Sequence, residues 1–380
     1  MHTSTKAHNY NSSRQTLALA ISTALALGVL PAASMAQDAE ADSQVSKTVL
    51  EEVVVTSQRR EAKLMEVPLA VTALTGEELE QLGALDLVYL TQSSPNTTLE
   101  VSRGTNSTLT AFIRGVGQQD PVAGFESGVG IYVDDVYLNR PQAGVLDIYD
   151  VERIEVMRGP QGTLYGRNTI GGAIKYVTRR LSTEAELKVR GRIGNYSMMD
   201  ATATGSAPLS DTFRIGGSFA TFNRDGFGEN LNLGIDNYEK KAYGGRLSAE
   251  WEPTEDLFFR LSGDWMQDDS DPRQGHRLTV GNLSGAPVLD NVFDTRAGLN
   301  TPTQEVKAKG YSFLAEWHAS DLITWRGIAS YRDDTTWTPI DFDSLPSADL
   351  DVPALYENDQ TSFELQAVFS ADSWDGVAGL

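Results

Sequence analysis

Residue types that usually carry catalysis are sparse in this chain. Beyond residue 36 the histidines are His276 and His318, far apart in sequence, so neither a catalytic triad nor a histidine metal cluster is suggested. Cysteine is absent, which removes thiol catalysis, thiolate metal sites and disulfides together. The acidic pairs Asp134-Asp135 and Asp268-Asp269 fit turns better than a general acid and base placed across a substrate. No enzyme, cofactor or metal centre is expected. Residues 336–359 hold Asp341, Asp343, Asp349, Asp351, Glu357 and Asp359 with no basic residue, a field that repels strongly anionic solutes unless divalent cations bridge it.

Charge pairing is the other chemistry on offer. Arg114 precedes Gly115 and Arg158 precedes Gly159, each at the end of a strand-like run, where a guanidinium can hold a carboxylate by two hydrogen bonds. An exposed arginine paired with nothing is the alternative. Arg158 lies in VERIEVMRGPQGTLYGRNTIGGAIKYVTRR, residues 151–180. There Ile154, Val156 and Met157 make a short apolar strand, which Gly159, Pro160 and Gly162 break into a turn of fixed shape. Gly166, Gly171 and Gly172 then let backbone lie close to backbone before AIKYV resumes a strand. No helix-forming run follows the glycines and no Gly-Lys-Ser/Thr appears, which excludes a phosphate cradle. A glycine-rich connection between core strands accounts for the same pattern.

The elements that position these residues begin with an export signal. Lys6 and Arg14 precede the apolar run Leu17 to Leu30, and Ser34-Met35-Ala36 offers a cleavage site, so residues 1–36 read as a signal peptide. Residues 37–47 are polar and acidic and are expected to be disordered, within an N-terminal segment 37–60. In LEEVVVTSQRR, Val53, Val54 and Val55 with Thr56 form an extended β-branched run. No turn signal follows to pair it with a neighbour, so it is expected to be free to add to another protein's sheet edge; a buried strand is the alternative. Residues 61–180 have the composition of a compact α+β domain. Thr75-x-x-Glu78 is a capping box opening a helix that Gly83 can end, a second short helix covers Asp86 to Thr91, and TTLEVS, LTAFIRGV, VGIYVDD and DVYL follow as short strands.

After Arg180 the pattern changes to strands of roughly ten residues in which apolar and polar residues alternate. Leu247, Ala249 and Trp251 alternate with Arg246, Ser248 and Glu250; Phe363, Leu365 and Ala367 alternate with Glu364 and Gln366. A soluble sandwich also alternates, but here tight connections such as Pro253 to Glu255 alternate with long ones at 223–238, 267–304 and 336–358, as in a barrel with periplasmic turns and extracellular loops. Trp251 and Trp317 fall beside short turns, and Tyr243, Trp265 and Tyr331 beside long loops, as paired aromatic girdles require. The net charge of −21 argues against nucleic acid as a partner.

Residues 151–180 closely resemble the plug signature of TonB-dependent outer-membrane receptors. The resemblance extends to FIRGV with Arg114 and Gly115, to IYVDDVYL with Asp134 and Asp135, and to the signature positions Glu155, Arg158, Gly159, Pro160, Gly162, Tyr165, Gly166, Gly171 and Gly172. It implies a plug domain followed by antiparallel transmembrane β-barrel strands over residues 181–380, an incomplete barrel of about eight or nine strands where the family has about 22. It implies that Glu51, Glu52, Val53, Val54, Val55, Thr56 and Ser57 are a TonB box handed to the periplasmic domain of TonB. The dozen or so residues before that box cannot bury a core, so no signalling module is expected. Plug arginines such as Arg114 and Arg158 are implied to pair with barrel glutamates and hold the plug shut, with Glu364, pointing inward by alternation, as a candidate partner. The implied function is energy-coupled import of a scarce solute, a ferric siderophore or other iron complex first, with a glycan or aromatic compound, or a passive porin, as alternatives. His276, on a predicted long loop, is compatible with a haem ligand and with an ordinary surface histidine. A monomeric barrel surrounded by outer-membrane lipid and lipopolysaccharide is the expected setting.

Overall fold

The computed structural model describes residues 53–102, 105–144, 150–281, 284–299, 304–347, 350–371 and 373–380. The expected signal peptide, the acidic segment after it, Glu51 and Glu52 lie outside the described residues.

A short hairpin of β1 (Val54–Val55) and β2 (Ala62–Lys63) opens the described chain. Then come β3 (Ala70–Thr75), helix α1 (Gly76–Gln81), helix α2 (Leu90–Ser93), β4 (Thr97–Val101), β5 (Leu109–Ile113), β6 (Val116–Gln118), β7 (Val129–Val133), β8 (Val136–Leu138), β9 (Val151–Arg158), helix α3 (Gly162–Tyr165) and β10 (Gly172–Thr178). The capping box forms as expected. Thr75 Oγ1 accepts from the Glu78 N–H while Glu78 Oε2 accepts from the Thr75 N–H, which starts α1, and Gly83 ends it at φ 70°. The second helix begins as a 3-10 turn capped by Asp86, whose Oδ1 accepts from the Val88 N–H. Contrary to expectation, the glycine-rich signature contains the single helical turn α3.

A mixed sheet in the order β3-β9-β10-β7-β8 is the spine of this domain, with β10 parallel to β7 and the other neighbours antiparallel. One face carries Ile131, Ile174 and Val156, adjacent in register, and packs on Leu79, Leu87, Leu90, Leu99 and Ile113. Burial of these aliphatics is worth about 1.5–3 kcal/mol each. Gly172 sits at φ 155°, where a Cβ would meet the Met157 carbonyl at 2.2 Å, so close strand approach excludes any side chain there.

A nine-stranded antiparallel sheet follows. It comprises β11 (Glu186–Gly194), β12 (Met198–Pro208), β13 (Phe213–Arg224), β16 (Lys240–Thr254), β17 (Leu257–Asp268), β18 (Glu305–Ser320), β19 (Ile323–Asp341), β20 (Asp351–Ser370) and β21 (Asp375–Gly379). The separate hairpin β14 (Gly228–Asn230) and β15 (Ile235–Asn237) lies in the connection between β13 and β16. The alternation reads out as two faces. Leu187, Leu247, Leu261, Phe313 and Phe363 are exposed on one, whereas Arg214, Arg246, Glu250, Arg260 and Gln366 are buried on the other. The polar face packs on the plug: Lys188 and Arg190 reach Glu80 of α1 at 2.8 and 2.5 Å, and Gln360 donates to the Tyr137 carbonyl. A wall that is oily outside and charged within suits lipid on the outer side. Trp251, Phe259 and Phe313 stack along the outer face near the short turns.

The expected loop 336–358 is shorter than read from sequence. β19 and β20 continue to pair through Trp337↔Leu355 and Ile340↔Val352 as far as Asp341↔Asp351. No helix among the described residues is long and apolar enough to cross a membrane.

Candidate functional site: the box hairpin against plug and wall

Register builds this site. On the sheet face opposite the aliphatic core, Tyr132 of β7, Lys175 of β10 and Glu155 of β9 lie side by side across adjacent strands. Lys175 is 2% and Glu155 0% exposed, so charges in this row need partners. The valine box supplies them. Thr56 N–H donates to Glu155 Oε1 at 2.8 Å, Lys175 Nζ donates to Thr56 Oγ1 at 2.8 Å, and the Tyr165 hydroxyl donates to the Thr56 carbonyl at 3.3 Å. Arg153 Nε completes the ring, donating to Glu155 Oε1 at 2.8 Å.

The expectation of a free valine strand is therefore corrected. Val54 pairs with Lys63 and Val55 with Ala62, Val55 and Ser57 are fully buried, and Thr56 is nearly so. The turn between the strands, Thr56 to Arg59, carries no glycine, proline, asparagine or aspartate to mark it in the sequence. Arg59 takes the left-handed conformation instead, at φ 64°, with its N–H donating to the Thr56 carbonyl at 2.9 Å.

Contacts of the Arg59 side chain offset that strain. Its guanidinium lies over the Tyr165 ring at 4.3 Å and the Tyr132 ring at 5.7 Å, and Nε donates to the Leu164 carbonyl. Nη1 meets Asp135 Oδ1 at 2.8 Å and Nη2 meets Glu364 Oε1, on the wall, at 3.5 Å. Asp135 also receives Lys175 at 2.8 Å and wall residue Arg326 at 3.4 Å, and Arg326 pairs with Glu316 at 2.5 Å. Burial alone would raise the Asp135 carboxyl, but Lys175, Arg326 and Arg59 outweigh it and hold the group well below the usual carboxylate range. Burial pushes the Tyr165 hydroxyl well up, so it stays a donor.

Asp134 and Asp135 form the expected turn, Asp134 at φ 54°, and point to separate partners. Asp134 accepts from the Thr178 N–H at 2.8 Å and lies 3.6 Å from Arg246 of the wall. Beside it, fully buried Glu250 gathers Arg260 at 2.8 Å and both Arg180 and Arg214 at 3.4 Å, where the plug runs into the wall.

The expected pairing of Arg114 and Arg158 with Glu364 does not form. Among the described residues neither arginine has an ion pair: Arg158 donates to the Pro95 carbonyl at 3.3 Å, and Arg114 lies 3.2 Å from where a Gly159 Cβ would stand. Both sit at the end of the sheet occupied by Gly159 and Pro95, while Glu364 faces the box hairpin. Glu364 does face inward, as alternation required, but its cation is Arg59. Of the signature, Gly159, Gly166 and Gly172 take positive φ, Pro160 and Gly162 frame α3, Gly171 donates its N–H to the Gly128 carbonyl, and Gly115 turns β5 into β6.

His318 Nδ1 lies 2.9 Å from Thr324 Oγ1 near a short turn, and His276 sits in the connection between β17 and β18, so they share no site. Asp341, Asp343 and Asp351 converge, their carboxylate oxygens within 4.8 Å of one another. Backbone N–H groups of Gly298 and Ser344 hold Asp341, and those of Leu345 and Leu350 hold Asp343, which shapes the tip of the connection.

Residues 63–173 match the family model described as the TonB-dependent Receptor Plug Domain. Over that span the chain carries the plug domain of TonB-dependent receptors. The chain is 23% identical over 293 residues to the ferrichrome outer membrane transporter/phage receptor of Escherichia coli, covering 74% of itself and 36% of that protein. It is 32% identical over 130 residues to the vitamin B12 transporter BtuB of Vibrio vulnificus, covering 33% of itself and 20% of that protein. It thus spans about a third or less of the length of these relatives. Its fold matches the crystal structure of the ferric yersiniabactin uptake receptor FyuA of Yersinia pestis with a TM-score of 0.67 at 20% identity, over 82% of this chain and 47% of that one. Here Arg59, two residues after Ser57, pairs with both Asp135 of the plug and Glu364 of the wall.

Proposed function

We propose that the chain belongs to an outer-membrane receptor that imports a scarce solute, with a ferric siderophore or other iron complex as the first expectation, using energy delivered by TonB. The sequestered valine strand carries this reading. Residues 53–57 are strand-forming; Thr56 among them is bonded to the plug, and Arg59, two residues beyond, meets plug and wall at once. A periplasmic partner that takes this strand onto its own sheet edge must first break those contacts, so its pull acts where plug meets wall. The short turns then face the periplasm with the box hairpin, and the long connections face outward, where cargo arrives.

The relatives support the cargo class: one is a ferrichrome transporter, and a structural neighbour takes up ferric yersiniabactin. The vitamin B12 transporter among them makes a cobalamin the second cargo to test. The outer apolar face is set in outer-membrane lipid and lipopolysaccharide.

Uptake of radiolabelled ferrichrome, ferric yersiniabactin and cyanocobalamin by cells carrying the receptor, with and without functional TonB, tests the reading. Uptake of an iron complex that stops without TonB is expected. Uptake that is indifferent to TonB contradicts it.

A further inference from the structure

The contacts of Arg59 with Asp135 and Glu364, which latch the box hairpin to plug and wall, have a physical line to the far end of the plug. Residues 134–140 leave the turn at Asp134 and Asp135, run through β8 and end at Arg140. Arg140 Nη2 donates to the Pro121 carbonyl at 2.9 Å and Nη1 to the Phe125 carbonyl at 3.4 Å, and Gln142 Nε2 donates to the same Pro121 carbonyl at 2.9 Å. Pro121 and Phe125 belong to the connection 119–128 between β6 and β7, where Phe125 is 53% exposed.

The segment is guided by the wall. Asn139 and Asn358 exchange side-chain hydrogen bonds at 3.0 and 3.1 Å, Gln360 Oε1 accepts from the Asn139 N–H at 3.2 Å, and Gln360 Nε2 donates to the Tyr137 carbonyl at 2.9 Å. β20 runs from the long-connection end at Asp351 to the short-turn end at Ser370. Asn358 and Gln360 therefore stand nearer the long connections than Glu364, which meets Arg59. A strand rises about 3.3 Å per residue, so the three residues of β8 advance roughly 10 Å along that direction. At one end Asp135 holds Arg59 and Lys175; at the other Arg140 holds a connection exposed toward the side of the long loops.

We propose that residues 134–140 are the relay by which the 119–128 connection sets the state of the box hairpin, with Arg140 as the positioning residue that grips the connection and Asp135 as the output. A displacement of Pro121 and Phe125 draws Arg140 along β8, and the paired strands β7 and β8 pass the shift to the turn that fastens Arg59. The inference rests on the reading of the box hairpin as the element presented to a periplasmic partner. It adds which residues decide when that happens.

The chain lacks cysteine, so a single thiol reports on the hairpin. Ser57→Cys suits this purpose, since Ser57 is fully buried and its hydroxyl makes no hydrogen bond. Maleimide labelling of this variant in isolated outer membranes is compared among otherwise wild-type protein, Arg140→Ala, Asp135→Asn and the double variant. Ala111→Cys, in the buried plug core, serves as a control for general loosening. Loss of the Arg140 hydrogen bonds is expected to speed Ser57→Cys labelling about tenfold. Loss of the Asp135 charge is expected to speed it about a hundredfold, and the double variant should match Asp135→Asn alone because both act on one path. Ala111→Cys should stay slow throughout. Labelling of the Arg140→Ala variant at the wild-type rate, effects that multiply in the double variant, or equal acceleration at Ala111→Cys each overturn the relay. If Asp135→Asn itself leaves labelling unchanged, the latch reading beneath it fails as well.

Discussion

The backbone N–H of Thr56 donates to Glu155 Oε1 at 2.8 Å, joining residues 99 positions apart. Glu155 is fully buried in the central sheet, and Arg153 Nε shares the same oxygen. A glutamine there keeps an acceptor but turns charge-assisted hydrogen bonds into neutral ones, while Arg153 stays paired with Glu152. Glu155→Gln is therefore expected to weaken docking of the box hairpin by about 1–3 kcal/mol, read as the loss of protection of Ser57→Cys from maleimide.

The latch should resist acid. Because the folded-state carboxyl of Asp135 is held below its ordinary value, its contribution is complete above about pH 4 and is lost only as pH falls through the depressed value. Ser57→Cys labelling, divided by the rate of a free thiol at the same pH, is expected to stay flat from neutral pH to about pH 4 and to rise below it. A rise near pH 6 contradicts the assignment.

The upper connections should behave oppositely. Asp271 is buried, which pushes its carboxyl up to about 6, with Glu239 and Asp236 adding to the shift and the hydrogen bond from the Glu239 N–H opposing it. Ionised Asp271 thus penalises the folded arrangement above pH 6, by up to about 3 kcal/mol, and the penalty is relieved as pH falls through 6 toward the ordinary value of about 3.9. Amide exchange at Glu239 and Lys241, which bond to Asp271 and Ser270, is expected to be more protected at acidic than at alkaline pH once intrinsic rates are divided out. Asp271→Asn should abolish the difference.

The two faces of the wall predict unequal costs for neighbouring substitutions. Leu261 is 58% exposed on the outer face, and Leu261→Arg should cost about 2–4 kcal/mol in lipid vesicles. Ser262 faces inward and shares a 3.0 Å hydrogen bond with Ser248, so Ser262→Ala should cost about 1 kcal/mol. Urea unfolding from lipid vesicles measures both.

What was legible in the sequence was local. The Thr75 capping box, the strand breaks at Gly159 and Gly172, and the period-two alternation of the wall each depend on residues within a turn or two of one another. The latch was not legible, because Arg59 finds Asp135 76 positions away and Glu364 on a different domain. The box hairpin escaped notice because its left-handed residue is an arginine, held by Tyr165 and Asp135 instead of by intrinsic preference. Two adjacent arginines, Arg59 and Arg60, separated from the valine run by three residues, were the available signal. Arg114 and Arg158 drew attention by standing beside glycines, yet local geometry at a strand end does not say which carboxylate lies opposite.

The most direct test of the account removes residues 53–55 and follows a ferric siderophore at the cell surface and inside the cell. Surface binding is expected to be unchanged, with energised uptake reduced to the level of cells lacking TonB. Uptake at the wild-type rate with normal surface binding would contradict it.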